Sequence, residues 1–296
     1  MTAGTSTLST GRSVGMAVTL AAALALAINN VTLPFVYKSG WNAQSVVLFR
    51  FIFSSTALGL VLLLGGRGFA LSRRDIAHAM GSGVAVAIGA IGLLGSFQFI
   101  PVSLAIVVVY TNPVLTAVML AIWHRHPPSF LQIVCLIVAF AGVAVATGIG
   151  DVTLDPRGIA LAIMSAIGFS FSFAWNSVKL RAADAMTVTF YMVIAGGIAT
   201  AAFVLLSGTL SLPAVTYGWL LFLIPACCFS FAMFGMYEGV RRIGGAPAAM
   251  LMNLEPVMTI ALAPFVLGEH LTAMHIIGGL LVIGAVYVSE RSGEAA

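Results

Sequence analysis

The chain is 296 residues long, 60% hydrophobic and only 7% charged, with a net charge of +4 and a mean hydropathy of +1.10. Soluble domains carry about 25% charged residues, so this composition excludes a large soluble enzyme and describes a polytopic membrane protein. The positive charges gather in short connections and no stretch carries a basic stripe, which excludes a nucleic-acid partner.

A spanning helix needs about 20 mostly apolar residues. Ten such stretches are predicted, near 13–35, 43–65, 75–99, 102–123, 128–149, 157–178, 186–207, 213–237, 244–267 and 271–289. The polar segment MTAGTSTLSTGRSVG precedes a full-length apolar stretch with no cleavage site after a short apolar region, so span one reads as a retained helix rather than a signal peptide. It holds Asn29 and Asn30 just before Pro34, in an otherwise apolar run. Span two carries Arg50, nearer its outer end. Span three is rich in glycine (Gly81, Gly83, Gly89, Gly92, Gly95) and ends in Ser96, Phe97 and Gln98. Small residues let helices approach closely, in fixed packing or in sliding contacts.

Span four contains Tyr110, Asn112 and Pro113, span six Trp175 and Asn176, span eight Tyr237, and span nine Met252, Asn253, Glu255 and Pro256. Span ten carries Gly278, Gly279 and Gly284. Aromatic rings with a few amides suit a mostly apolar solute that has a zwitterionic end. Trp41, Trp123 and Trp219 lie close to span ends and read as interfacial belt residues. Cys135, Cys227 and Cys228 lie in spans and read as apolar thiols. Gly235 and Gly239 form a GxxxG pair, a dimer signal in a chain otherwise read as a monomer.

Orientation follows from the basic residues. With the N-terminus inside, Arg12, Arg67, Arg73, Arg74, Arg125, Lys179, Arg181, Arg241, Arg242 and Arg291 fall on the cytoplasmic side and only Lys38 and Arg157 face outward. Both termini are then cytoplasmic.

Sliding the chain by 143 residues places PVLT (113–116) on PVMT (256–259), and sliding it by 141 places Lys38 on Lys179. Ten spans in two sets of five enter the membrane in opposite senses. The expected fold is therefore an all-α membrane protein of ten transmembrane helices, built as two inverted five-helix repeats, 1–150 and 151–296. Inverted repeats mark secondary transporters, and paired proline-interrupted segments point to their binding site. Pro113 and Pro256 each remove a backbone donor and free a carbonyl four residues earlier, those of Val109 and Met252. Asn112 and Glu255 stand directly before them. For Asn112 packing is the stronger reading. A carboxylate at mid-membrane is costly and by default functional. Arg50 lies too near the outer end of its span to be favoured as its partner.

The run LEPVMTIALAPFVLGEHLTAMHIIGGLLVIGAVYV resembles the last two helices of EamA-type transporters of the drug/metabolite transporter superfamily, through Leu254, Glu255, Pro256, Val257, Gly268, Glu269, Leu271, Gly278, Gly279 and Gly284. The first half departs from the pattern: Asn112 stands where a Glu is found, and HRHPP (124–128) replaces a GE turn. The resemblance is closest to YddG-type exporters of aromatic and other neutral amino acids. It implies a central cavity surrounded by helices one, three, four, six, eight and nine, an inner-membrane location, a small-molecule partner within the lipid bilayer, and a gating or architectural share for Glu255. Efflux of drugs or lipophilic cations is the alternative, with a channel-like facilitator or a membrane sensor behind it.

No P-loop, HExxH or GxSxG occurs, and no set of converging nucleophile and base is found, so no catalytic residues are expected. His124 and His126 have no acidic or cysteine neighbours, so no metal and no cofactor are expected.

Overall fold

A computed structural model describes residues 3–66, 68–123, 130–147, 155–180, 183–213, 216–243, 251–252, 254–268 and 272–293. Asn253, Arg67, Arg125, Arg181, His124, His126, Glu269, His270 and Leu271 lie outside them. For Arg12, Pro113, Tyr237, Arg241, Pro256 and Arg291 only the backbone is described.

The described residues form helices and connections, with no strand among them. The helices are α1 (Ala3–Lys38), α2 (Ala43–Leu64), α3 (Arg73–Ser96), α4 (Val102–Val109), α5 (Asn112–Trp123), α6 (Phe130–Thr147), α7 (Pro156–Lys179), α8 (Ala185–Ser207), α9 (Thr216–Ile243), α10 (Leu254–Leu267) and α11 (Ala273–Gly293). Among the described residues, seven segments are long and apolar enough to cross a membrane: Ser13–Lys38, Ala43–Leu64, Arg73–Ser96, Leu104–Trp123, Pro156–Asn176, Ala185–Ser207 and Thr216–Met236. Val257–Leu267 and Ala273–Ala285 are shorter apolar helices.

Helix starts follow local chemistry. Asn42, Ser72, Asp155 and Asp184 each accept a backbone N–H from the first turn of α2, α3, α7 and α8, satisfying donors that a helix start leaves free. Arg157 bonds Asp155 at 2.8 Å and holds its carboxyl below the usual range. Gly208 closes α8 in the left-handed region with φ 62°, a conformation that glycine adopts without a side-chain clash.

Pro113 is expected to kink span four, and the span is instead broken into α4 and α5. Tyr110 and Thr111 form a turn between α4 and α5, closed by Tyr110 N–H to Ile106 O at 2.9 Å and Thr111 N–H to Val108 O at 3.2 Å. Pro113 has no N–H to offer Val109 O, so the helical ladder cannot run on across this turn, and a proline is tolerated in the first turn of the helix that follows.

α1 packs on α9 and α10, α3 on α7 and α8, α2 on α8, α5 on α7, and α6 on α11. Small residues set the spacing. A Cβ on Gly83 would collide with the backbone of Met192, so α3 and α8 touch main chain to main chain there. The Gly235–Gly239 pair is used in the same way inside the molecule: Gly235 meets Ala22 and Val18, and Gly239 meets Thr19. This corrects the dimer signal, since the small face is covered by α1. Hydroxyl pairs join helices as well, Ser82 with Ser172 at 2.7 Å and Ser54 with Ser230 at 2.9 Å. The outer surface is apolar, with Phe265 88% and Leu206 89% exposed, as a lipid-facing surface requires.

Trp41 is not a belt residue. It is 3% exposed, donates its indole N–H to Gly218 O at 3.0 Å, and packs against Phe49, Trp219 and Phe222. With its N–H satisfied inside the protein, the ring has no need of the interface.

Candidate functional site

α1 is apolar on most of its buried surface but carries two amides side by side, Asn29 and Asn30, each 2% exposed. Buried amides need partners. Asn30 finds one 225 residues away: its Nδ2 donates to Glu255 Oε1 at 3.0 Å. The other carboxylate oxygen, Oε2, accepts the hydroxyl of Tyr110 at 2.8 Å. Tyr110 stands in the turn between α4 and α5, so the break in span four is what places its hydroxyl at the carboxylate. The same hydroxyl lies 3.4 Å from Met252 O, the carbonyl that Pro256 cannot satisfy for want of an N–H.

One carboxyl group therefore ties three segments together: α1, the α4–α5 turn and α10. Behind them Asn29 Nδ2 donates to Asn30 Oδ1 at 3.0 Å. Turned over, the Asn29 amide offers its nitrogen instead to Pro225 O at 3.1 Å, which extends the chain of polar groups to α9. Four residues beyond Glu255, on the same side of α10, Thr259 is fully buried and its hydroxyl has no partner among the described residues.

The structure thus brings Asn29, Asn30, Tyr110, Met252 and Glu255 together. The remaining candidates lie elsewhere. Phe97 caps α3 and packs into the main hydrophobic core, 9% exposed. Asn112 contributes its backbone: its carbonyl accepts Thr116 Oγ1 at 2.8 Å and Ser170 Oγ at 3.0 Å. Trp175 joins an aromatic cluster with Trp123, His78 and Phe171, at centroid distances of 5.1, 5.4 and 5.4 Å. Asn176 reaches Met192 Sδ at 3.5 Å. Trp175 and Asn176 sit in the last turn and a half of α7, beside the start of α3, so they belong to that end of the bundle and not to the Glu255 cluster. Lys179 lies 5.7 Å over the Trp123 ring, which joins Trp123 to the same cluster at that end of the bundle.

Thr259 and Pro225 are the participants that sequence reasoning missed. Thr259 ends the PVMT run that matches PVLT, and its four-residue spacing from Glu255 was the available signal. No sequence signal pointed to Pro225. Arg50 and Glu255 do not pair. Among the described residues no group of three or more metal-ligating side chains converges.

The sequence profile of the EamA-like transporter family matches residues 13–148 and matches again at 156–290. An uncharacterized transporter of Archaeoglobus fulgidus is 23% identical over 253 residues, covering 83% of this chain and 88% of its own. One solved crystal structure aligns over 96% of this chain and 99% of its own with a TM-score of 0.65 at 15% identity, a likeness of fold. With both halves matched, the chain belongs to the EamA-like transporter family.

Proposed function

We propose that the protein exports aromatic and other neutral amino acids, and related small metabolites, by alternating access across the bacterial inner membrane. The observation that carries the reading is the Glu255 carboxyl, bonded at once from α1 and from the α4–α5 turn. Separating these segments to open a path requires both bonds to part, so the group acts as a gate whose release is coupled to solute binding.

The reading includes ten crossings arranged as two inverted halves, 1–150 and 151–296, with both termini in the cytoplasm. Two findings support the halving. The family profile matches twice, once on each side of residue 150. The packing is also balanced: α1 lies on α9 as α7 lies on α3, α1 lies on α10 as α7 lies on α5, and α2 on α8 and α6 on α11 join equivalent members of each half. Rocking of one half against the other then opens the gate to each side in turn. A cysteine placed in the 67–74 connection should be shielded from impermeant thiol reagents in intact cells, and one at 151–155 should react. The reverse pattern removes the orientation.

A second reading, efflux of lipophilic cations, is favoured by the same buried carboxyl, which suits a positive solute. Counterflow in proteoliposomes against a panel of amino acids and lipophilic cations separates the two. Saturable exchange of phenylalanine or tryptophan is expected. Exchange of cations alone replaces the first reading with the second, and flux that does not saturate replaces both with a pore.

A further inference from the structure

Arg50 is the unusual charge of this fold. It lies in α2, 4% exposed, and its guanidinium carbon stands 4.0 Å from the centroid of the Phe229 ring. An arginine stays protonated at any physiological pH, and a buried charge ordinarily has a counter-ion or a full set of acceptors. Arg50 has neither among the described residues: it makes no ion pair and its Nε is buried without a partner. The described carboxylates are engaged elsewhere, Asp75 by Ser72, Asp155 by Arg157, Asp184 by Thr187, Glu238 by Arg242 and Glu255 by Asn30 and Tyr110. The aromatic face of Phe229 offsets part of the cost and leaves the N–H fork unused.

Helix register fixes its depth. α2 and α9 run in the same direction, since Phe49 meets Trp219 and Phe222 while Ser54 bonds Ser230. Arg50, four residues before Ser54, is thus level with Ala226. Next to Ala226 is Pro225, whose carbonyl lies within reach of the Asn29 amide. The guanidinium accordingly shares its depth, to within about one helical turn of ~5 Å, with the amide pair that holds Glu255. Tyr37 of α1, whose hydroxyl is taken by Leu94 O at 2.9 Å, is close enough to interact electrostatically with Arg50 without accepting from it.

We propose that Arg50, backed by Phe229, is the carboxylate-binding residue of the transport path: the solute carries a carboxylate that takes the unused guanidinium donors once the path opens. A planar fork matches a carboxylate in two parallel hydrogen bonds. The proposal rests on the exporter reading and sharpens it, because a lipophilic cation has nothing to offer Arg50.

The test uses the full chain, purified in detergent, and reads thermal stabilisation by phenylalanine, by 3-phenylpropionate (carboxylate, no amine) and by phenethylamine (amine, no carboxylate), extended to the other amino acids and to short carboxylates. Both carboxylates should stabilise the wild type. Arg50→Gln should weaken them on the order of tenfold or more and leave phenethylamine unaffected, while Arg50→Lys, a point charge without the fork, should lie between. Carboxylate binding that is indifferent to Arg50→Gln overturns the proposal. If Arg50→Gln does not fold, Arg50→Lys decides: unchanged carboxylate affinity overturns it. A wild type stabilised by no carboxylate in the panel overturns it as well. Counterflow distinguishes the two claims. Arg50-dependent carboxylate binding with no amino-acid exchange ends the exporter reading and keeps Arg50, whereas full exchange in Arg50→Gln ends the role of Arg50 alone.

Discussion

The two proline-bearing segments, Asn112–Pro113 and Glu255–Pro256, meet their neighbours in different ways. At Asn112 the backbone carbonyl accepts Ser170 of α7, and the side chain makes no hydrogen bond to a described residue. At Glu255 the side chain takes Asn30 of α1 and Tyr110 of the α4–α5 turn. Under the proposed halving these are equivalent contacts, α7 on α5 and α1 on α10, and Ser170 falls 141 residues after Asn29. One has become a packing contact and the other a polar knot. The difference lies in what a short neutral amide and a carboxylate can hold: an amide is easily left to pack, whereas a buried carboxylate must gather donors.

The comparison can be broken by mutation, and Glu255→Ala carries the largest expected effect. It strands the Asn30 amide and the Tyr110 hydroxyl together. With roughly 1–2 kcal/mol for each interhelical bond in a membrane, about 2–4 kcal/mol of stability should be lost, seen as a lowered unfolding temperature in detergent, and counterflow should collapse. Tyr110→Phe removes a single bond, so about 1–2 kcal/mol and a several-fold fall in exchange rate are expected; an effect as large as that of Glu255→Ala would assign the knot to the tyrosine.

Glu255→Gln should cost less than about 1 kcal/mol. The glutamine carbonyl still accepts from Asn30, and the Tyr110 hydroxyl can turn to Met252 O. Exchange and pH-driven accumulation should then both survive. Retained exchange with lost accumulation would instead make Glu255 the carrier of a coupling proton. Asn112→Ala should do least, within about 0.5 kcal/mol, with exchange at wild-type rate, because its bonds are made by backbone that alanine also has. A loss in Asn112→Ala comparable to that in Glu255→Ala would restore the symmetry between the two segments and end the comparison.

Much of the fold was legible in the chain because hydropathy is a local property. Seven of the apolar stretches fall on described helices long enough to cross a membrane, and the caps at Asn42, Ser72, Asp155 and Asp184 are local hydrogen bonds written in a few adjacent residues. Glu255 was legible as a buried acid in need of partners for the same reason: a carboxylate inside an apolar run is recognised as costly from its neighbours in sequence alone. Position near a helix end was a poorer guide. It made Trp41 an interfacial residue, whereas α9 folds over it and supplies the Gly218 carbonyl. It also set Arg50 apart in depth, while the pairing of α2 with α9 brings it level with the amides of α1.

By itself the sequence determined that this is a helical membrane protein, where its apolar helices lie, and that an acid is buried in one of them. Only the tertiary structure decided which groups answer that acid. Asn30 and Tyr110 lie 225 and 145 residues away, and in chains of apolar helices nearly any pair of helices can pack. Small residues such as Gly83, Gly235 and Gly239 select the pairs by allowing backbones to touch. The polar side chains then pair according to that choice, which no local pattern of hydropathy encodes.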